Sequence, residues 1–140
     1  MSEHRSNVIP TLRYRDARGA IDWLCLVFGL ERHAVYEGED GLIAHAQLTL
    51  DGGMIMLGPT RDDEYGRGFK SPDELGGVET RSTYIVVADA DAVFARAQTA
   101  GATIVRPLQS TGYGSREFSV KDPEGHSWSV GTYHPWAAHE

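Results

Sequence analysis

The sequence predicts an α+β fold built from a β-α-β-β-β unit that occurs twice within one domain, and three observations carry that prediction. Two amphipathic helical stripes each precede three strand-like segments. Cap and turn residues recur at nearly constant spacing in the two halves. The composition, 41% hydrophobic and 24% charged over 140 residues, is that of one globular domain.

Residues 7–14 mix β-branched and alternating side chains and read as a strand. Asp16 is an N-cap for a helix expected to end at Phe28 with Gly29 as its stop, and Ala20, Ile21, Leu24, Val27 and Phe28 supply its apolar stripe. Strands are expected over 31–37, 42–50 and 54–57, with turns at 38–41 and 51–53. Residues 58–80 are glycine-rich, charged and without periodicity, which predicts a long loop that could serve as a mobile lid through Tyr65 and Phe69. The second half starts with a strand over 82–87. Asp89 caps a helix striped by Ala90, Val93, Phe94 and Ala97 and stopped at Gly101. Strands follow over 103–107, 115–121 and 126–132, the last two joined by the turn Asp122-Pro123-Glu124-Gly125. The halves match at offsets of 71 to 73, through Asp16 and Asp89, Gly29 and Gly101, Asp51 and Asp122, and Gly53 and Gly125. Module one is thus placed at 7–57, the loop at 58–80, module two at 81–132 and a tail at 133–140.

Charge and cysteine content remove several function classes. Thirteen Lys and Arg against twenty Asp and Glu give a net charge of −7, which argues against a nucleic-acid partner and suits a neutral or cationic small molecule. The lone Cys25 excludes an intramolecular disulfide and a zinc ribbon, and its place in a helix points to a structural thiol. No apolar run is long enough to span a bilayer, and the first seven residues lack the apolar segment of a secretory signal, so a cytoplasmic protein without membrane association is expected. Gly66-x-Gly68 and Gly112-x-Gly114 lack the context of a phosphate loop, the acidic clusters at 37–40 and 62–64 read as solvated surface, and His134 and His139 in the tail have no acids at ligand spacing.

The duplicated unit resembles the vicinal oxygen chelate superfamily, which includes glyoxalase I, extradiol dioxygenases, fosfomycin-resistance enzymes and bleomycin-resistance proteins. The resemblance runs from about Val8 to Thr132. It is carried by VIPTLRYRDARGAIDWLCLVFGLE, HAQLTLDGGMIMLG and REFSVKDPEGHSWSVGTYHPW, where Asp122 to Gly125 looks like the family's DP-x-G turn. It implies a curled mixed sheet with helices on the outer face, a ligand site inside the cup, and a homodimer in which each cup draws strands from both subunits.

Strand alternation then assigns the cup lining. Ala46, Leu48 and Leu50 face the helices, which turns His45, Gln47 and Thr49 inward; Ile9, Thr11 and Arg13 line the first strand and Ser82, Tyr84 and Val86 its counterpart. At an offset of 71, Arg116, Phe118 and Val120 match His45, Gln47 and Thr49, and Ser127 and Ser129 line the last strand. The candidate ligand-binding residues are therefore Arg13, His45, Gln47, Tyr84, Arg116, Phe118 and Ser129. Arg13 and Arg116 could clamp an anion or pair with an acidic loop, Tyr84 and Phe118 could stack on a flat ligand or pack the wall, and His45 could contact ligand or be a hydrogen-bonded core histidine.

Metal-dependent members of the family supply four ligands, typically His, Gln or Glu. The matching positions here are Ile9, Gln47, Ser82 and Ser129, of which only Gln47 is competent, so neither a metal nor another cofactor is expected. The expected function is metal-free binding and sequestration of a small molecule, as in bleomycin-resistance proteins. The alternatives are a metal-dependent lyase, isomerase or dioxygenase of the glyoxalase kind, and a metal-independent enzyme with His45 as general base.

Overall fold

The computed structural model describes residues 5–137; His139 lies outside them. Its order is β1 (Thr11–Tyr14), α1 (Ala17–Phe28), β2 (Glu31–Glu37), β3 (Ile43–Leu50), β4 (Gly53–Pro59), β5 (Thr83–Val86), α2 (Ala90–Thr99), β6 (Thr103–Ser110), β7 (Arg116–Lys121) and β8 (Ser127–Gly131). Two four-stranded sheets result, β1-β4-β3-β2 and β5-β8-β7-β6, each with a parallel first pair and antiparallel pairs thereafter. The α+β duplication is the observed architecture.

Local chemistry sets the helix ends where the sequence places them. The Asp16 carboxylate accepts from Gly19 N at 3.0 Å, and Gly29 closes α1 in the left-handed region at φ 76°, a conformation that costs glycine little. Asp89 repeats the cap on Ala92 N at 3.0 Å. One core runs through both modules, with Leu24, Val27 and Phe28 of α1, Val93 and Ala97 of α2, and the inner faces of both sheets. Phe28 meets Trp128 with ring centroids 5.3 Å apart, and Arg96 Nε donates to Val27 O at 3.0 Å, so α1 is packed to the second module as well as to its own sheet.

The 58–80 segment is more ordered than its composition predicts. It contains two short 3-10 turns, Gly66–Gly68 and Pro72–Leu75. Its later half is fastened to the body: Arg15 pairs with Asp73 at 2.5 Å, Lys121 Nζ donates to Gly77 O at 2.7 Å, and Ser127 N donates to Glu79 at 2.7 Å. The earlier half continues from β4, which ends at Pro59; Thr60 N donates to Tyr14 O at 3.3 Å, the Arg13 guanidinium lies over the Tyr65 ring at 5.5 Å, and Tyr65 packs against Phe69 at 5.1 Å.

Register corrects one part of the sequence reading. Ala46 and Leu48 pair with Leu57 and Ile55, while Phe118 and Val120 pair with Val130 and Trp128, and all of these are buried in the core. β7 therefore matches β3 at an offset of 72, not 71. A one-residue slip exchanges the faces of a strand, so Phe118 and Val120 belong to the helix side and Glu117, Ser119 and Lys121 to the open side. Phe118 is fully buried with its ring 5.1 Å from Phe94 of α2. Arg116 leaves the open face too: its Nε donates to Asp91, in the first turn of α2, at 3.1 Å.

Candidate functional site

The open face of the second sheet carries a cleft of about 580 Å³, lined by Ser82, Tyr84, Arg106, Tyr113, Glu117, Ser129, Tyr133 and Pro135. Every lining residue belongs to the second module or the segment after it. β7 supplies Glu117, β8 supplies Ser129 and β5 supplies Tyr84, because alternate residues of those strands are taken by the core.

Glu117 forms the floor, with 5% of its surface exposed. The Tyr113 hydroxyl donates to its carboxylate at 2.8 and 2.9 Å to the two oxygens, and Arg106 approaches Oε1 at 3.9 Å. Arg106 Nε donates to Ser119 Oγ at 3.0 Å, and Ser119 and Ser129 share a hydroxyl hydrogen bond at 2.8 Å. The Tyr84 hydroxyl donates to Tyr133 O at 2.7 Å, and the Tyr113 and Tyr133 rings meet edge to face at 5.6 Å and 82°. Both Tyr84 and Tyr113 are held protonated above the ordinary phenol range, Tyr84 by burial and Tyr113 by its bond to the Glu117 carboxylate. Gly131 makes room for this packing, since a Cβ there would lie 2.6 Å from the Tyr84 hydroxyl and 2.7 Å from Glu117 Cγ.

The open face of the first sheet carries the other predicted residues. His45 and Gln47 on β3 are half-buried there, with the Gln47 amide nitrogen 3.2 Å from His45 Nε2, where it donates when the ring proton is on Nδ1. The His45 ring stacks over Tyr36 at 6.1 Å. Arg13 on β1 lies beside Gly58, where a Cβ would come within 3.2 Å of its guanidinium. Of the predicted set, the structure brings Tyr84 and Ser129 together in the cleft, places Arg13, His45 and Gln47 on the first sheet, and sends Arg116 and Phe118 to the helix side.

The fold's metal positions carry few donors. Ile9 has no donor, and Gln47 stands on the first sheet while Ser82 and Ser129 border the second. In the duplicated register Gln47 is the counterpart of Ser119; the counterpart of Ser129 is Met56, a thioether. Among the described residues no three His, Cys, Asp or Glu side chains converge as a metal site. Neutral hydroxyls, one amide and a thioether do not fit a divalent ion that needs carboxylate or imidazole.

Glu117, Arg106, Tyr113 and Tyr133 line the cleft and are not among the residues expected from the sequence. The signal was present: Gly29 and Gly101, like Gly53 and Gly125, are spaced by 72, and in Glu117-Phe118-Ser119-Val120 the apolar alternation itself marks the polar residues as the open face.

Comparison with known proteins agrees with this architecture. The sequence profile of the Glyoxalase/Bleomycin resistance protein/Dioxygenase superfamily matches residues 8–130. An uncharacterized protein of Mycobacterium bovis is 37% identical over 122 residues, covering 87% of this chain and 80% of that one. The crystal structure of TioX from Micromonospora sp. ML1 superimposes with a TM-score of 0.71 at 34% identity, covering 92% of this chain and 99% of that one. FosX, a fosfomycin resistance protein from Listeria monocytogenes, shares the fold with a TM-score of 0.62 at 12% identity, covering 90% and 91%.

Proposed function

The chain belongs to the Glyoxalase/Bleomycin resistance protein/Dioxygenase superfamily, and from that premise we propose that it binds and sequesters a small organic molecule without a metal. The observation that carries this reading is the second-sheet cleft. It combines aromatic walls with a few convergent polar groups, the ordinary character of a small-molecule site, and the fold's metal positions hold no donor set for a divalent ion. The net charge of −7 raises the encounter rate of a cationic guest.

Catalysis of the glyoxalase or dioxygenase kind needs a Lewis acid that these donors do not hold, and His45 as a lone general base stands on the other sheet from the cleft. Elemental analysis of tag-free protein, together with turnover assays on the wild type and His45→Ala, tests the reading. The expected result is no stoichiometric zinc, nickel, manganese or iron and no turnover in either protein. One such metal per chain, lost on His45→Ala, would overturn the metal-free reading.

A second copy of the chain would complete the site. The cleft takes all its walls from the second module and the segment after it, and the first sheet presents Arg13, His45 and Gln47 on an open face of its own. No strand of one sheet pairs with the other among the described residues, so each sheet ends in unpaired edges that a two-fold partner would cover.

A further inference from the structure

We propose that the second-sheet cleft is a seat for an organic cation, a protonated or quaternary amine on an aromatic or apolar body, with Glu117 as counter-charge and Tyr84, Tyr113 and Tyr133 as walls. The proposal deepens the binding reading above and rests on it.

Glu117 is a carboxylate at the floor of a cleft, almost wholly buried, and its protein partners compensate it only in part. Arg106 comes no nearer than 3.9 Å, well beyond the roughly 2.7–2.9 Å of a direct charge-assisted hydrogen bond. Its Nε is committed to Ser119, and its side chain is 46% exposed, so water screens what attraction remains. The other donor is the neutral Tyr113 hydroxyl, which spans both oxygens. A carboxylate has lone pairs beyond these, and Glu117 lines the cleft. Burying a charge this weakly compensated is costly, and a cation arriving from the cleft relieves that cost.

The walls favour the same guest. Aromatic faces are electron-rich, and the 82° angle between Tyr113 and Tyr133 makes a corner in which a cation meets the face of one ring while its apolar body lies against the other. The absence of a side chain at Gly131 leaves Tyr84 and Glu117 side by side on the floor. An anion would meet Glu117, and a neutral guest would leave its charge unanswered.

NMR titration of the full chain with benzyltrimethylammonium, benzyl alcohol and benzoate tests the seat. The cation is expected to shift the signals of Tyr113, Glu117 and Tyr133 and to bind tightest of the three. Glu117→Gln should weaken it about ten-fold, and Arg106→Gln, at a half-exposed position, should tighten it several-fold by removing the competing charge. The opposite signs separate a charge seat from loss of structure. Binding of benzyl alcohol or benzoate as tight as that of the cation, or weakening by both variants, overturns the cation seat and leaves the cleft a binding site. If none of the three probes shifts these signals, the seat is overturned, while sequestration is decided separately by whether the intact protein retains an organic molecule.

Discussion

The Tyr14 hydroxyl donates to Asp122 Oδ2 at 2.5 Å across 108 residues of chain, joining the first strand of one module to the turn before the last strand of the other. Asp122 is buried and also accepts from Trp128 Nε1 at 2.9 Å and from the backbone of Glu124 and His126. Glu124, two residues on, accepts from the backbone N–H groups of Arg15 and Asp16 at 2.7 and 2.8 Å, at the start of α1. The Asp-Pro-Glu-Gly turn thus locks the modules together. The second module holds the cleft, and Phe28 of the first packs on Trp128 of β8 on the other face of that sheet, so the lock bears on the rigidity of the cleft.

Tyr14→Phe should lower stability by about 1–2 kcal/mol and Asp122→Ala by about 3 kcal/mol, because the second leaves several buried donors unpaired. Chemical denaturation checks both. Equal and negligible losses would show that the turn does not join the modules.

The same pair predicts an alkaline limit. Burial, then the Asp122 charge and hydrogen bond, hold the Tyr14 phenol well above its ordinary range. Ionisation is therefore favoured in the unfolded chain, whose phenol titrates near pH ~10. The contribution is fully present below that pH and is lost as pH rises toward the folded-state value. Stability of the wild type should fall more steeply above pH ~10 than that of Tyr14→Phe; parallel curves would contradict the assignment.

The face of β7 can be tested through Phe118. Its ring is buried against Phe94, so Phe118→Ala should cost about 3–5 kcal/mol. Phe118→Leu should keep the fold and leave ligand affinity unchanged. Loss of affinity in a Phe118→Leu protein of native stability would return this residue to the cleft wall.

Gly131→Ala should act on the opposite side of the sheet. Its methyl group would press on the Tyr84 hydroxyl and on Glu117, which must shift, at a cost of about 1–3 kcal/mol. Ligand affinity should fall while the two-state unfolding transition persists. Unchanged affinity would place the ligand elsewhere.

The fold was legible because its punctuation is local. Asp16, Gly29, Asp89 and Gly101 cap helices through bonds to residues within a turn, and the duplication repeats them. The open face of the first sheet was legible for the same reason: Ala46 and Leu48 are plainly apolar, so His45 and Gln47 fall on the other side. The cleft was not. It depends on the β7 register, where a single-residue error moved Arg116 and Phe118 in and Glu117 out. Tyr113 and Tyr133 belong to no strand, and only tertiary packing brings them to Glu117. The order within 58–80 was hidden because its anchors, Arg15, Lys121 and Ser127, are distant in sequence.

Light scattering at micromolar concentration should give about 31 kDa, twice the 15.4 kDa of one chain. A particle of one chain mass would contradict the shared cup and leave each cleft with the walls of one chain alone.

Sequestration without a metal can be read from native mass spectrometry of the protein purified from cells and dialysed exhaustively against a chelator. An organic molecule is expected to stay bound after chelation, to be lost in Glu117→Gln, and to be recovered chemically unchanged on denaturation. A molecule that leaves with the metal, or that is recovered as a converted product, would contradict it.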